Sequence, residues 1–305
     1  MKLKDIYEQK YKVLLLIPFI ILVLALLQIG IQTAVTGDFV NKGITLKGGS
    51  SITLDKTDMV NVEELGLFLQ DKFPKADINV RTISSAGQVV SVAVDSDAQE
   101  NSEINALTKA VTEKYNLGKE DYSIEVMGSA LGNSFFKQTF MALIIAFLLM
   151  GIVVLIYFRT IIPSLAVILA ALSDIIVTLS IFNLTGIKLS TAGIAAFLML
   201  IGYSVDTDIL LSTRLLKRKE GTVMDRVYGA MKTGLTMSTT TLVAIGVALI
   251  FVESEVVKQI MIILFIGLLV DLVMTWIQNV GILRMYIEKK RKWIKDLKIS
   301  FRTGE

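Results

Sequence analysis

The stretch Leu189–Arg214, LSTAGIAAFLMLIGYSVDTDILLSTR, decides how the whole chain reads. It is almost wholly apolar until it reaches Asp206 and Asp208, and it stops at a basic cluster that begins with Arg214. Its length suits a hydrocarbon core of roughly 30 Å. A carboxylate inside a span costs roughly 2.5–3.5 kcal/mol on insertion scales, so its presence points to function unless pairing or hydration explains it.

The rest of the chain fits a membrane setting. Of 305 residues, 53% are hydrophobic and only 19% charged, against about a quarter charged in a soluble domain. Net charge is +3. There is no cysteine, which excludes disulfides and iron–sulfur ligation. There is no histidine, which removes the usual zinc ligand, imidazole acid–base chemistry and any Ser-His-Asp arrangement. The Gly-rich LKGGSS at 46–51 lacks the spacing and GK[ST] ending of a phosphate loop. No cofactor or metal is expected, and no motif among these residues points to an enzyme.

Before the opening stretch lie three spans and one insert. Val13 to about Val35 is a first span, with Pro18 near its start, where helical hydrogen bonds are least disturbed. A secretory signal would have a shorter apolar region of about 7–15 residues and a cleavage site, and none follows Ala34. From Thr36 to Lys137 the composition shifts: 10 of the 31 basic and 15 of the 28 acidic residues fall here. Ile44–Leu54 reads as a strand, bent at Gly48-Gly49. Val62–Phe73 reads as a helix, Ile78–Ile83 and Val89–Val94 as a hairpin turning at Ala86-Gly87, Ile104–Tyr115 as a helix and Tyr122–Met127 as a strand. This βαββαβ order is that of a ferredoxin-like α+β domain. Gln138–Phe158 and Pro163–Asn183 are the second and third spans.

After the opening stretch come a basic loop at 212–233, two spans at Leu235–Val252 and about Val257–Gly281, and a basic tail. The expected plan is therefore six transmembrane helices with one extracytoplasmic domain between the first two. Its parts are 1–35 (terminus and first span), 36–137 (domain), 138–283 (spans two to six) and 284–305 (tail). Arg159, the 212–233 loop and the tail (Lys289, Lys290, Arg291, Lys292) are basic, whereas the opposite short loops hold only Lys188 and Lys258 with Glu253 and Glu255. Basic short loops stay inside, so both termini are expected in the cytoplasm of a cell-membrane protein. The same clusters could contact RNA, but topology and anionic membrane lipid account for them, and no nucleic-acid partner is expected.

Four acidic residues fall in or near spans: Asp174, Asp206, Asp208 and Asp271. Low dielectric disfavours a charged carboxylate, which suits a proton relay; the competing reading is interhelical hydrogen bonding. Asp206 follows Gly202 by four residues on one helix face and is the expected relay group of its span. Asp208 lies about 200° away and is expected at the interface or paired with Arg214 or Lys232. Asp271 shares a face with Gly267 and Thr275, a pattern that faces protein. Candidate relay partners are Ser173, Lys232, Thr239 and Thr240; the hydroxyl-rich Thr236 and Ser238–Thr241 could instead back-bond within their own helix.

Four motifs in this order resemble the SecF family of the resistance-nodulation-division superfamily, which assists the general secretory translocon. GITLKGGS at 43–50, with Gly43, Gly48 and Gly49, resembles the glycine motif opening the family's external domain. VMGSALG at 126–132 resembles the motif leading into the second span. Ser173-Asp174 stands where the family has His-Asp, and GYSVDTDILLSTR at 202–214 is similar to its fourth-span signature. Asp206-Thr207 replaces the bacterial Asn-Asp, and Thr233, beside Lys232, stands where bacterial members have an Arg; both features look archaeal. The resemblance implies a SecD-like six-span partner subunit, a Sec translocon channel and a translocating polypeptide as partners. It also implies that proton movement biases the external domains. A six-span chain with carboxylates in spans three and four fits half of a pseudo-symmetric pair. Competing readings are half of a small-molecule or lipid exporter of the same superfamily, and a translocon scaffold without ion coupling.

Overall fold

The computed structural model describes residues 7–55, 60–85, 88–218, 220–252 and 254–303. The proposed Ala86-Gly87 turn, Lys219 and Glu253 lie outside the described residues. Among those described, six helices are long and apolar enough to cross a membrane. They are α1 (Tyr11–Thr36), α5 (Ser129–Phe158), α6 (Ile161–Leu184), α7 (Thr191–Lys217), α8 (Val223–Phe251) and a last span, Val256–Trp293. The last span is composite: α9 (Glu255–Val273), a π-helical turn (Met274–Asn279) and α10 (Val280–Thr303).

The α6, α7 and last spans bury 56%, 56% and 50% of their apolar stretches, whereas α1, α5 and α8 bury 11%, 11% and 17%. The first three therefore form the inner layer, and the others present apolar side chains outward. Small residues let the inner helices approach. A Cβ on Gly267 would meet Leu200, and one on Gly234 would meet the rigid indole of Trp276.

Between α1 and α5 lies the insert: α2 (Ile44–Lys47), β1 (Gly49–Leu54), α3 (Val62–Lys72), β2 (Ile78–Ser85), β3 (Gln88–Ser96), α4 (Asn101–Tyr115) and β4 (Tyr122–Met127). The sheet is antiparallel in the order β2-β3-β1-β4. Two split βαβ units generate that order, as in ferredoxin-like domains. Ile52, Leu54, Val92 and Val94 face Leu65, Leu69, Leu107 and Val111 of the two helices, forming a core separate from that of the bundle. On the other face Ser51 donates to Asp95 (2.7 Å), which also pairs with Arg81 at 2.9 Å. Asn61 caps α3, accepting from Glu63 N and Glu64 N; such caps satisfy amides the helix leaves unpaired.

Three boundaries differ from the sequence reading. Ile44–Lys47 is a helical turn, not the start of a strand. Gly48 and Gly49, at φ +89° and +143°, redirect the chain as pairing begins. Helix α5 begins at Ser129, nine residues before the expected span, because Gly132 packs against the backbone of Lys47 and Gly48. The basic loop is mostly helix: α7 runs to Lys217 and α8 starts at Val223 behind a Thr222/Asp225 capping box.

Candidate functional site

Three inner helices bring three carboxyls together inside the helical bundle. Asp174 lies on α6, Asp208 on α7 and Asp271 at the end of α9, and each is fully buried. Hydroxyls and amides join them. Ser204 Oγ donates to Asp174 at 2.5 Å. Thr207 Oγ1 lies 3.2 Å from Asp271, and Thr275 Oγ1 bridges Asp271 (2.9 Å) and Asp208 (3.0 Å). Asn279 Nδ2 donates to Asp208 at 2.7 Å.

Among the described residues no Lys or Arg pairs with any of the three. Three adjacent carboxylates without a counter-ion cannot all be charged in low dielectric, so the cluster must hold protons. It also keeps open acceptor positions: Asp174 Oδ1, Asp208 Oδ2, Gln278 Oε1 and Asn279 Oδ1 are buried without a partner. Such a site can take up and pass on a proton. Among the described residues no His, Cys, Asp or Glu group is arranged to hold a metal ion.

Several sequence expectations for this region change. Asp208 is not interfacial or ion-paired; it belongs to the cluster. Asp206 does not join it: its side chain is exposed, on a stripe with Ala195, Met199, Gly202 and Tyr203. Helix rotation is the reason, since Ser204 and Asp208 are one turn apart on the inner face and Gly202 and Asp206 one turn apart on the outer face. Arg214 instead donates to Gly229 O (2.5 Å) and Thr233 (2.9 Å). Of the expected partners, Ser173 is in place, accepting from Gln278 at 3.2 Å. Lys232, Thr239 and Thr240 are exposed on α8. Thr240 bonds back to Met237 O, and Thr236 to Lys232 O.

The residues not foreseen as part of the site are Ser204, Thr207, Gln278 and Asn279. A Gln-Asn pair inside an apolar span was the available signal, because intramembrane polar side chains are rarely idle.

A second set of contacts ties the inner helices to the insert. Gln259 of α9 donates to Lys188 O (2.7 Å) and accepts from Ser190 N (3.0 Å) and from the Ser190 hydroxyl, clasping the α6–α7 loop. That loop pairs with the segment leading into the insert: Leu189 N donates to Asn41 O (2.6 Å) and Gly43 N to Leu189 O (2.8 Å). Asn183 donates to Phe39 O, and Lys188 pairs with Asp77 of the insert at 2.8 Å. The glycine motif thus serves close backbone packing. A Cβ on Gly43 would lie 3.1 Å from Leu189 O, and one on Gly48 2.6 Å from Ser129 Cα; one on Gly49 would strike Ser96 O.

Comparison with known proteins finds relatives in sequence and in fold. Residues 107–289 match the family model "Protein export membrane protein SecD/SecF, C-terminal". The protein-export membrane protein SecF of Pyrococcus furiosus is 40% identical over 290 residues, 95% of each chain. That of Methanothermobacter thermautotrophicus is 41% identical over 285 residues, covering 92% of this chain and 94% of the relative. The crystal structure of SecDF, a translocon-associated membrane protein from Thermus thermophilus, superposes with TM-score 0.70 at 23% identity, over 95% of this chain and 40% of the SecDF chain. SecDF in its super-membrane-facing form gives TM-score 0.61 at 22% identity, over 92% of this chain and 39% of that one.

Proposed function

The chain belongs to the SecF family of protein-export membrane proteins, and from that premise we propose how it works as an accessory subunit of the Sec export machinery. Protons load and unload at Asp174, Asp208 and Asp271. The resulting shift of α6, α7 and α9 is passed through the Gln259 clasp to the external domain, which handles the emerging polypeptide beside the translocon channel. The observation that carries this reading is the buried three-carboxyl cluster, with open acceptor oxygens and with no basic partner among the described residues.

The chain is one half of a larger unit. It spans about two fifths of the SecDF chain, and the missing half is a SecD-like six-span subunit. The α7 stripe with Asp206 supports this, since an Asp facing lipid costs roughly 2.5–3.5 kcal/mol and a partner helix relieves that cost. The test is proton flux in vesicles containing the chain and its SecD-like partner under an imposed gradient. Flux above that of protein-free vesicles is expected; flux at leak level would leave a scaffold without ion coupling.

Orientation follows from Lys and Arg placement, with both termini and the α7–α8 connection in the cytoplasm of the cell and the insert outside. Lys119 and Glu220 are both exposed. A cysteine at Lys119 should react with an impermeant maleimide in intact cells, and one at Glu220 only after lysis. The reverse pattern would invert the topology.

A further inference from the structure

The carboxyl cluster sits next to the π-helical turn Met274–Asn279. Such turns are rare and mostly interrupt α-helices as single turns. Here the turn has a geometric effect. In a regular α-helix each four-residue step precesses by about 40°, so Asn279 would lie about 80° from Asp271. The wider turn takes up that precession. Asp271, Thr275 and Asn279 therefore form one row, and both Thr275 and Asn279 reach Asp208. Gln278 swings toward α6 and donates to Ser173.

The turn is held from outside its own helix. Tyr7 Oη donates to Trp276 O, in the middle of the turn, at 2.7 Å. The same segment grips the helix beyond: Arg284 donates to Tyr7 O (3.1 Å) and Glu8 O (2.9 Å), and Tyr11 Oη to Glu288 at 2.5 Å. Tyr228 of α8 donates to Glu8 at 2.9 Å, and its ring lies 6.3 Å from that of Tyr7. Return of the turn to α geometry would rotate Asn279 off the row and carry Arg284 and Glu288 out of register with residues 7–11. Burial pushes the Tyr7 phenol up from its ordinary value, outweighing the nearby Arg284 guanidinium, so the hydroxyl remains a donor.

We propose that the amino-terminal segment Tyr7–Tyr11 is a latch that fixes the π turn in the register that supplies Thr275 and Asn279 to Asp208. Tyr7 is the positioning residue in this latch. The proposal rests on the relay reading for its functional meaning, but the latch itself is a separate structural claim.

The test compares wild type with Tyr7→Phe, which keeps the ring against Tyr228 and removes only the hydroxyl. Both are reconstituted with the SecD-like partner. Hydrogen exchange over 274–281 reports the turn, and gradient-driven flux against pH reports Asp208, whose facing titratable groups are Asp174 and Asp271. The expected result is at least about tenfold faster exchange and a displaced pH midpoint of flux, which mere loss of folded protein would not produce. Unchanged exchange would overturn the latch whatever the flux does. Faster exchange with an unmoved midpoint would overturn the positioning role. Faster exchange in a system whose wild type carries no flux would support the latch and overturn the relay.

Discussion

Asp208→Asn is expected to reduce gradient-driven proton flux and the export it drives by about a hundredfold or more, the scale on which positioned proton-transfer groups act. The amide keeps the shape of the carboxyl and can still meet Thr275, but it cannot carry an exchangeable proton between states. Because Asn279 and Thr275 both converge on this carboxyl, the loss falls on ion movement, with assembly preserved. Asp206→Asn behaves differently. The cluster remains whole, and the change is read in recovery of the SecD-like partner, with flux per assembled complex retained. Equal loss of flux from the two variants would contradict the assignment of Asp208 to the inner face and Asp206 to the outer one.

The second large effect is mechanical. Gly48→Val is expected to destabilise the seat of the external domain by about 4 kcal/mol. That figure combines overpacking against rigid backbone with a left-handed backbone angle that a branched residue resists. The new Cβ would lie 2.6 Å from Ser129 Cα and 2.7 Å from Ser129 N, and φ is +89°. Neither neighbour is a flexible side-chain end, so relief requires the insert to move off α5. The measurement is limited proteolysis at the β4–α5 junction near Gly128, alongside thermal unfolding in detergent. Unchanged cleavage and an unchanged midpoint would show that the seat tolerates the added bulk.

Much of this arrangement was legible before any coordinates. Six apolar runs of spanning length leave little choice of class, and period-two and period-3.6 patterns in residues 36–137 marked the insert's strands and helices. What escaped the sequence has identifiable causes. Gly202 beside Asp206 suggested the inner face of the span, but the stripe is exposed, because small residues alone do not say which way a helix face turns. Ile44–Lys47 carries β-branched residues, yet it is helical because the chain must turn beneath α5 before it can join the sheet. Asn279 lies too far around a regular helix to be assigned to Asp271, and nothing in the residue pattern announces the π turn that brings it back.

The outward stripe on α7 has a consequence for biogenesis. A newly inserted copy without its companion holds Asp206 against lipid, at a cost of roughly 2.5–3.5 kcal/mol. That cost corresponds to about a hundredfold bias toward the assembled form. On the proposed pairing, a copy that lacks the SecD-like subunit keeps that cost unrelieved in the bilayer.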